Sequence, residues 1–493
     1  MRNTIKSILF LMVLLLSACN SDLLSLSPKT SLGELQAFDT KDRVVGQVNG
    51  MYARVKSGNF LGGRYQVYND VRADNFLPKS TNGVTNYQTW NHTVITSTSE
   101  VINLWGAAYS AVNSINIFLE GLDTNWKAGT LTGKITETEY NQFKSEALTL
   151  RAICYFDLLM LYSQPFNKDQ GASAGLPLRL KANKTGEGND MARSKVSEVY
   201  TQILADLNAA EPLAIDKYTT DLLNTTRIHK NTIIAFKTRV YLHMSDFAKV
   251  QAEANKIVSA TAPYSSASGV PNALNATFAG IWTTPYTTKE SVFSMPFTST
   301  NLAGTQNSLA HYNNPLSNES YYLTTTPGST YAQMNAADAR KLLFSTGTVS
   351  GSTVYFCGKY PSFTIQSDYA PVIRYAEVLL NFAEAIVRGG NAVTQKAVDL
   401  LNAVRTRSFV AGGYKLTDFP TTQSFYDAIL LERSMEFLGE GLRNMDLMRT
   451  VATIPAKSGA SAGSVGAIAP GTPTYIWPIP SSELDINKLM TGN

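Results

Sequence analysis

Over much of the chain, apolar residues return at helical spacing. Between 372 and 388 the polar residues Arg374, Glu377, Asn381, Glu384 and Arg388 recur every three or four positions, leaving Leu379, Leu380, Ala383, Ile386 and Val387 to cover the other side. That pattern predicts one amphipathic helix, with Pro371 tolerated in its first turn and Gly389-Gly390 as its stop. A second helix is predicted over 396–408, where Ala397, Leu400, Leu401 and Val404 can pack back on the first. The same helix-turn-helix layout recurs at 229–245 and 247–260, with Ala235, Ala248, Ala252 and Ala254 as small contact residues. Two such pairs suggest a tetratricopeptide-like stack in which neighbours share a core, although the Trp and Pro signposts of that repeat are missing and an irregular helical bundle remains the plainer alternative. Segment 146–162 is apolar almost all round, broken chiefly by Thr149, Arg151 and Asp157, and should be a central buried helix. Trp105, before the apolar helix 107–119, and Trp477, beside two prolines, read as structural.

Helical periodicity disappears between 263 and 331, where Gly, Pro, Asn, Ser, Thr and Tyr dominate. Loops are expected there, with a strand at 291–297, and long irregular segments tend to carry function. A Gly/Ala/Ser-rich stretch at 457–473 is expected to cross the surface as a loop.

The N-terminus carries a different pattern. Arg2 and Lys6 precede a purely apolar run at 8–16, and Ser17-Ala18 place small residues before Cys19, the layout of a cleavable secretory signal. The run is far short of the roughly 20 residues that span a bilayer. Leu16-Ser17-Ala18-Cys19 resembles the lipobox read by bacterial signal peptidase II, so 1–18 should be removed and Cys19 acylated, holding the chain to a membrane. Residues 19–40, polar with Pro28 and Gly33, suit a lipidated tether. A single body is then expected over 41–493, with an N-terminal part to about 225 and a C-terminal part from about 226. Only Cys154 and Cys357 remain in it; no disulfide framework is implied, although one bridge would be permitted in that compartment.

Charge narrows the function classes. Removing Arg2 and Lys6 takes the 42 Lys+Arg to 40 against 38 Asp+Glu, a balance of +2 before His, and no basic tract supports phosphate neutralisation, so nucleic acid is not an expected partner. Gly171 to Gly175 and Gly459 to Gly463 both match the nucleophile-elbow spelling, yet neither follows a buried strand. His92, His229, His243 and His311 are scattered without zinc spacing, and no phosphate loop or dinucleotide fingerprint occurs. No cofactor or metal is therefore expected. Glu377 with Glu384, and Glu436 with Glu440 and Arg443, could look like general acid–base pairs. Each has an arginine at helical spacing, however: Arg374 before Glu377, Arg388 after Glu384, Arg443 after Glu440. Ion pairing lowers a carboxyl pKa and makes a poor acid, so these should be scaffold salt bridges.

Six segments, in order, resemble the SusD/RagB lipoproteins of Bacteroidetes. Glu146-Ala147-Leu148 through Arg151-Ala152 to Tyr155-Phe156-Asp157-Leu158, with Pro165-Phe166, is similar to that family's early buried helix, and 193–207 to the segment that follows. The 372–380 run with Ala383-Glu384-Ala385, then Leu401-Asn402 with Arg405 and Arg407, is similar to its paired helices. Glu432-Arg433, Glu436-Phe437, Glu440-Gly441, Arg443, Asp446-Leu447 and Arg449 resemble its late charged helix, and Trp477-Pro478-Ile479-Pro480 with Glu483-Leu484 its closing segment. The usual closing Asn-Pro pattern is not identifiable. The resemblance implies a mainly α, SusD-like fold: tetratricopeptide-like helix pairs as scaffold, with long irregular loops and a little β carrying the binding face. It implies a non-catalytic lipoprotein of the outer membrane, facing the exterior, that binds oligosaccharide and delivers it to a SusC-like TonB-dependent transporter. Peptide-binding relatives supply the alternative, and a helical carbohydrase a more distant one. Calcium, present in some relatives, is left open, since no Asp-rich loop declares itself.

A glycan site needs aromatic faces flanked by polar side chains. Two stretches offer them. In 64–93, Tyr68, Tyr87 and Trp90 alternate with Asp74, Asn75 and Asn91; in the irregular segment, Trp282, Tyr286 and Tyr312 are interleaved with Asn and Gln. Trp90 is the expected stacking platform, lining one surface site together with Trp282.

Overall fold

A computed structural model describes residues 37–81, 86–185 and 187–493, so the signal, Cys19 and the tether up to residue 36 lie outside the described residues. The described chain opens on α1 (Lys41–Val55), α2 (Arg64–Arg72) and β1 (Phe76–Pro78), followed by its two longest helices, α3 (Ser99–Lys127) and α4 (Glu137–Tyr162), and by α5 (Val196–Ala210). After α6 (Lys230–His243) and α7 (Phe247–Ile257) come β2 (Ser291–Met295), β3 (Tyr321–Leu323), β4 (Ser345–Val349), β5 (Ser352–Phe356) and β6 (Ala370–Arg374). The last part holds α8 (Tyr375–Gly390), α9 (Gln395–Ser408), α10 (Thr422–Glu436), α11 (Leu442–Arg449) and the short strands β7 (Lys457–Gly459) and β8 (Gly463–Val465). The fold is mainly α with small sheets, as expected.

Local chemistry explains the main helices. A capping box starts α4: the Thr136 hydroxyl accepts from the Glu139 N–H at 3.2 Å and the Glu139 carboxylate accepts from the Thr136 N–H at 2.9 Å. From Ser145 to Tyr162 every residue of α4 is buried, because α1, α3 and α5 pack around it. The two expected helix pairs form, α6 with α7 and α8 with α9, and α7 lies against α8. The pairs are therefore neighbours that share apolar contacts, with Leu242, Val250 and Ala385 in one cluster.

Three expectations are corrected. Residues 372–374 are not helical: Ala370–Arg374 is buried throughout and pairs antiparallel with Ser291–Met295 as β6 against β2, so Pro371 sits in a strand and the helix begins at Tyr375. Backbone pairing of a fully buried apolar run wins over helical spacing there. The helix also runs through Gly389-Gly390 and stops at Asn391, which takes the left-handed conformation at φ 50°. Finally, 457–473 is not a plain surface loop; β7 and β8 make a hairpin, and Lys457 at its base is buried.

Among the described residues there are four sheets, each two-stranded. The pairing of β1 with β3, Phe76 opposite Leu323 and Pro78 opposite Tyr321, matters most for function, because it brings the 64–93 stretch against the irregular mid-chain segment.

Candidate ligand-binding groove

The two aromatic-rich stretches do meet in space. Lys79 Nζ donates to the Pro315 carbonyl at 2.7 Å, the Ser80 hydroxyl to the Asn318 carbonyl at 2.9 Å, and the Arg64 guanidinium to the Gln306 carbonyl at 3.2 Å. Their rings, however, turn inward. Trp90 is fully buried with its indole N–H on the Phe76 carbonyl at 2.9 Å. Tyr87, half-buried, stacks on it and donates its hydroxyl to the Ala462 carbonyl at 3.1 Å. Tyr68 packs edge-on against Trp477, and the buried Tyr312 donates to the Gln306 carbonyl at 2.6 Å. Trp282 is buried beside the Lys359 and Arg374 cations, 4.8 and 5.4 Å from its ring. Trp90 is thus no exposed platform, and Trp90 and Trp282 do not line one surface site. Between sheets of two strands each, large rings are the material that fills the core.

Of the remaining nominated residues, Asn75 is buried and donates to the Ser434 hydroxyl at 3.2 Å, Asn91 caps the short helix of Trp90, and Tyr286 is half-buried with its hydroxyl on Asp368 at 3.0 Å. Asp74 alone among them faces an open depression. A groove of about 690 Å³ runs between 324–329 and 455–466, lined by Asp74, Thr324, Thr326, Ser329, Ser458 and Ser464 among others. A second depression of about 350 Å³ meets it at Asp74 and Gly328 and is lined by Thr330, Gln333 and Arg443.

Each wall has a local cause. Arg443, in the first turn of α11, grips Asp74 in two contacts of 2.9 and 3.0 Å. Burial alone would raise the Asp74 carboxyl, but the Arg443 guanidinium holds it below the usual carboxylate range. Beneath lies a hydroxyl chain in which Ser434 contacts Asn75 and also Thr330, at 2.6 Å. The opposite wall is the β7–β8 hairpin. Lys457 at its base donates to the carbonyls of Val71, Arg72 and Ala73 at 2.5, 3.2 and 3.0 Å, at the C-terminal end of α2, where burial and the neighbouring Arg72 push its pKa well down. At its tip Ser461 meets Ser350 of the β4–β5 turn at 3.0 Å. One residue along from Thr330, Tyr331 stacks on Tyr355 with centroids 4.7 Å apart, both rings half-buried. Sequence reading missed this pair, because its rings are flanked by Ser and Thr instead of Asn.

The charged motifs are scaffold: the helical spacing gave the Glu384–Arg388 pair correctly, while Glu377, Glu440 and Arg443 take other partners. Glu377 pairs with Arg239 of α6 at 2.6 and 2.7 Å, not with Arg374. Glu384 takes Arg388 at 3.1 Å and Arg449 at 2.6 Å; Glu440 takes Lys359 at 2.6 Å and Arg374 at 2.8 Å; Arg443 goes to Asp74. Arg405 holds Glu432 at 2.8 Å, Arg433 holds Asp446 at 2.8 Å, and Arg151 holds Asp206 at 2.7 Å. Burial would raise the Glu436 carboxyl, yet Arg407, Arg374 and Arg340 together hold it far below its ordinary value. Cys154 and Cys357 are both free and buried, where burial pushes the thiols up, Cys357 to about 11. Among the described residues no group of three His, Cys, Asp or Glu side chains is placed to hold a metal ion. Nor is any helix among them long and apolar enough to cross a membrane.

Comparisons with known proteins agree with this architecture. A family profile described as starch-binding and associating with the outer membrane matches residues 22–242, and the SusD family profile matches 352–493. A SusD-like protein P38 from Formosa agariphila is 24% identical over 250 residues, which are 49% of this chain and 43% of that protein; the match thus spans less than half the length of that curated relative. The crystal structure of a SusD superfamily protein from Bacteroides fragilis superposes with a TM-score of 0.80 at 28% identity, covering 92% of this chain and 99% of the other. Surface glycan-binding protein A from Bacteroides thetaiotaomicron, solved in complex with laminarihexaose, superposes with a TM-score of 0.70 at 17% identity over 92% of this chain and 99% of that one.

Proposed function

The chain belongs to the SusD family, a carbohydrate-binding family of the bacterial surface, and on that premise we propose that it captures oligosaccharide and delivers it to a SusC-like TonB-dependent transporter without cleaving it. The observation that carries the reading is the groove at Asp74, open to solvent and lined by five hydroxyl side chains. A sugar hydroxyl both donates and accepts. Ser and Thr hydroxyls do the same, and a carboxylate beside a guanidinium offers an acceptor next to a donor. A peptide would ask for pockets alternating along a strand edge or for charged end-capture, which this lining does not resemble. Catalysis is disfavoured because Asp74 is tied to Arg443 and kept ionised, so it lacks the proton a general acid needs. Acyl chains on Cys19 would hold the body at the outer face of the outer membrane, with 19–40 as its leash.

Affinity gel electrophoresis against a panel of soluble polysaccharides tests this directly. At least one should retard the chain, and Thr326→Trp, which puts an indole into the groove from an exposed position, should abolish the retardation. No retardation on any polysaccharide would overturn the capture reading, and released sugar product would overturn the non-catalytic one.

A further inference from the structure

We propose that the cleft between α3 and the 178–191 segment is a second saccharide site, so that one molecule grips a glycan chain at two places; the inference rests on the capture reading above. At about 1020 Å³ this cleft is larger than the groove and shares no lining residue with it. It is open and lined by amides, a ring, aliphatic surface and charges of both signs, Glu120 and Glu187 with Arg179, Lys181 and Lys184.

Tyr109, Asn113, Asn116 and Glu120 fall three or four residues apart and so share one face of α3. That face clamps the backbone opposite. Asn113 Nδ2 donates to the Asn183 carbonyl at 2.9 Å and Asn113 Oδ1 accepts from the Asn183 N–H at 2.7 Å. Asn116 Nδ2 donates to the Arg179 and Lys181 carbonyls at 2.8 and 3.2 Å, and Glu120 accepts from the Ala182 N–H at 2.8 Å. Tyr155 adds a bond to the Arg179 carbonyl at 2.8 Å. A segment held by six side-chain hydrogen bonds is set before any ligand arrives, which lowers the ordering cost of binding.

The chemistry inside favours a neutral sugar. Tyr109 is half-buried, its ring tilted on Trp105 at 4.7 Å and its hydroxyl fixed on the Pro177 carbonyl at 3.0 Å, so it is a rigid aromatic surface at the cleft wall. Arg179 is balanced by Glu483 at 3.0 Å, and the lining carries Glu120 and Glu187 together with Lys181 and Lys184. Cations and carboxylates are thus interspersed, and a polyanion would meet Glu120 and Glu187 as readily as Lys181 and Lys184. An apolar ligand would desolvate the charged Lys181, Lys184 and Glu187 side chains that also line the cleft. A neutral chain of hydroxyls satisfies both constraints.

Two weak sites on one polymer reinforce each other through effective concentration. Isothermal titration of the mature chain with maltohexaose, laminarihexaose, cellohexaose and xylohexaose should therefore give a stoichiometry near two with the hexasaccharide that binds. Ser110→Trp, an exposed α3 position whose indole would fill the cleft, should bring it near one, as should Tyr109→Ala. Ser110→Trp should also weaken binding of the parent polysaccharide by about tenfold or more, with the unfolding temperature unchanged. A stoichiometry of one in the unaltered chain, lost in Thr326→Trp and kept in Ser110→Trp, overturns the second site alone. Absence of binding by every saccharide overturns the capture reading and this site with it.

Discussion

Replacing Arg374 by Met tests how the buried charges hold the two halves of the fold together. The Arg374 side chain is 1% exposed and donates to both oxygens of Glu440 at 2.8 Å, to Glu436 at 2.9 Å and to Glu290. Those carboxylates come from β2's edge and from the end of α10, while Arg374 itself ends β6, so one guanidinium joins three elements. Methionine fills the space but leaves three buried carboxylates with fewer cations: Glu290 and Glu436 keep Arg407, and Glu440 keeps Lys359. Removing one partner from a buried ionic group costs about 3–5 kcal/mol. An unfolding entropy of about 2.1 cal/mol/K per residue gives a chain of this size about 1 kcal/mol/K, so the melting temperature should fall by about 3–5 °C. The exposed pair Arg43–Asp39, at 2.9 Å, is the control; Arg43→Met should change stability by less than about 0.5 kcal/mol. pH adds a second signature. Glu436 has a depressed folded pKa, so its contribution is present above the unfolded value of about 4.3 and is lost as pH falls. The gap between Arg374→Met and the unaltered chain should accordingly be widest above about pH 5 and narrow on acidification. Scanning calorimetry at several pH values reads both. A gap within about 1 kcal/mol at neutral pH would refute the reasoning, as would a gap that is independent of pH.

Two further outcomes follow from other buried groups. Asp157, 1% exposed beside the Tyr65 hydroxyl, is pushed up to about 7 by burial; its contribution to stability is full below the unfolded value of about 3.9 and is lost as pH rises through about 7. Asp157→Asn should therefore raise the melting temperature at pH 8 by the equivalent of about 2–4 kcal/mol and leave it unchanged near pH 4, and a lower melting temperature at pH 8 would contradict this. Trp90→Phe removes the indole bond to the Phe76 carbonyl at 2.9 Å and should cost about 1–3 kcal/mol in urea denaturation; saccharide affinity in calorimetry should stay within about twofold, and a larger loss would return Trp90 to the binding surface.

Much of the scaffold was legible in the sequence, and the reasons are local. Helix α4 announces itself because its neighbours bury it on all sides, so its apolar run is unbroken by periodic polar residues. The α8–α9 pair is visible because polar residues recur at helical spacing, and the α6–α7 pair because the same layout repeats with small Ala residues, although α6 is buried from Asn231 to His243. Strand β6 was misread because Arg374 and Glu377 happen to keep helical spacing across its end, while the pairing with β2, some eighty residues away, leaves no periodic trace. Ion pairing of the glutamates was legible, and so was the local partner Arg388 of Glu384, but the distant partners were not: Arg239 reaches Glu377 across 138 residues, a contact that only the tertiary fold creates. The site was the least legible part. Tyr and Trp carry an apolar body and a polar tip, so Trp90 inside and Tyr331 near the surface look alike in sequence, and the Gly459–Gly463 spelling of a nucleophile elbow is the turn of a hairpin that walls the groove. Composition nonetheless pointed to two stretches that pack against each other, since β1 lies in one and β3 in the other.

The central claim, that the groove at Asp74 takes a saccharide, is tested most directly by a crystal structure of the chain soaked with the hexasaccharide that binds it. Sugar density should lie between 324–329 and 455–466, with a ring hydroxyl within hydrogen-bond distance of Asp74 or Arg443. Density found only over the 79–81, 86–96 and 298–320 surfaces, or an empty groove at a saturating concentration, would contradict the claim.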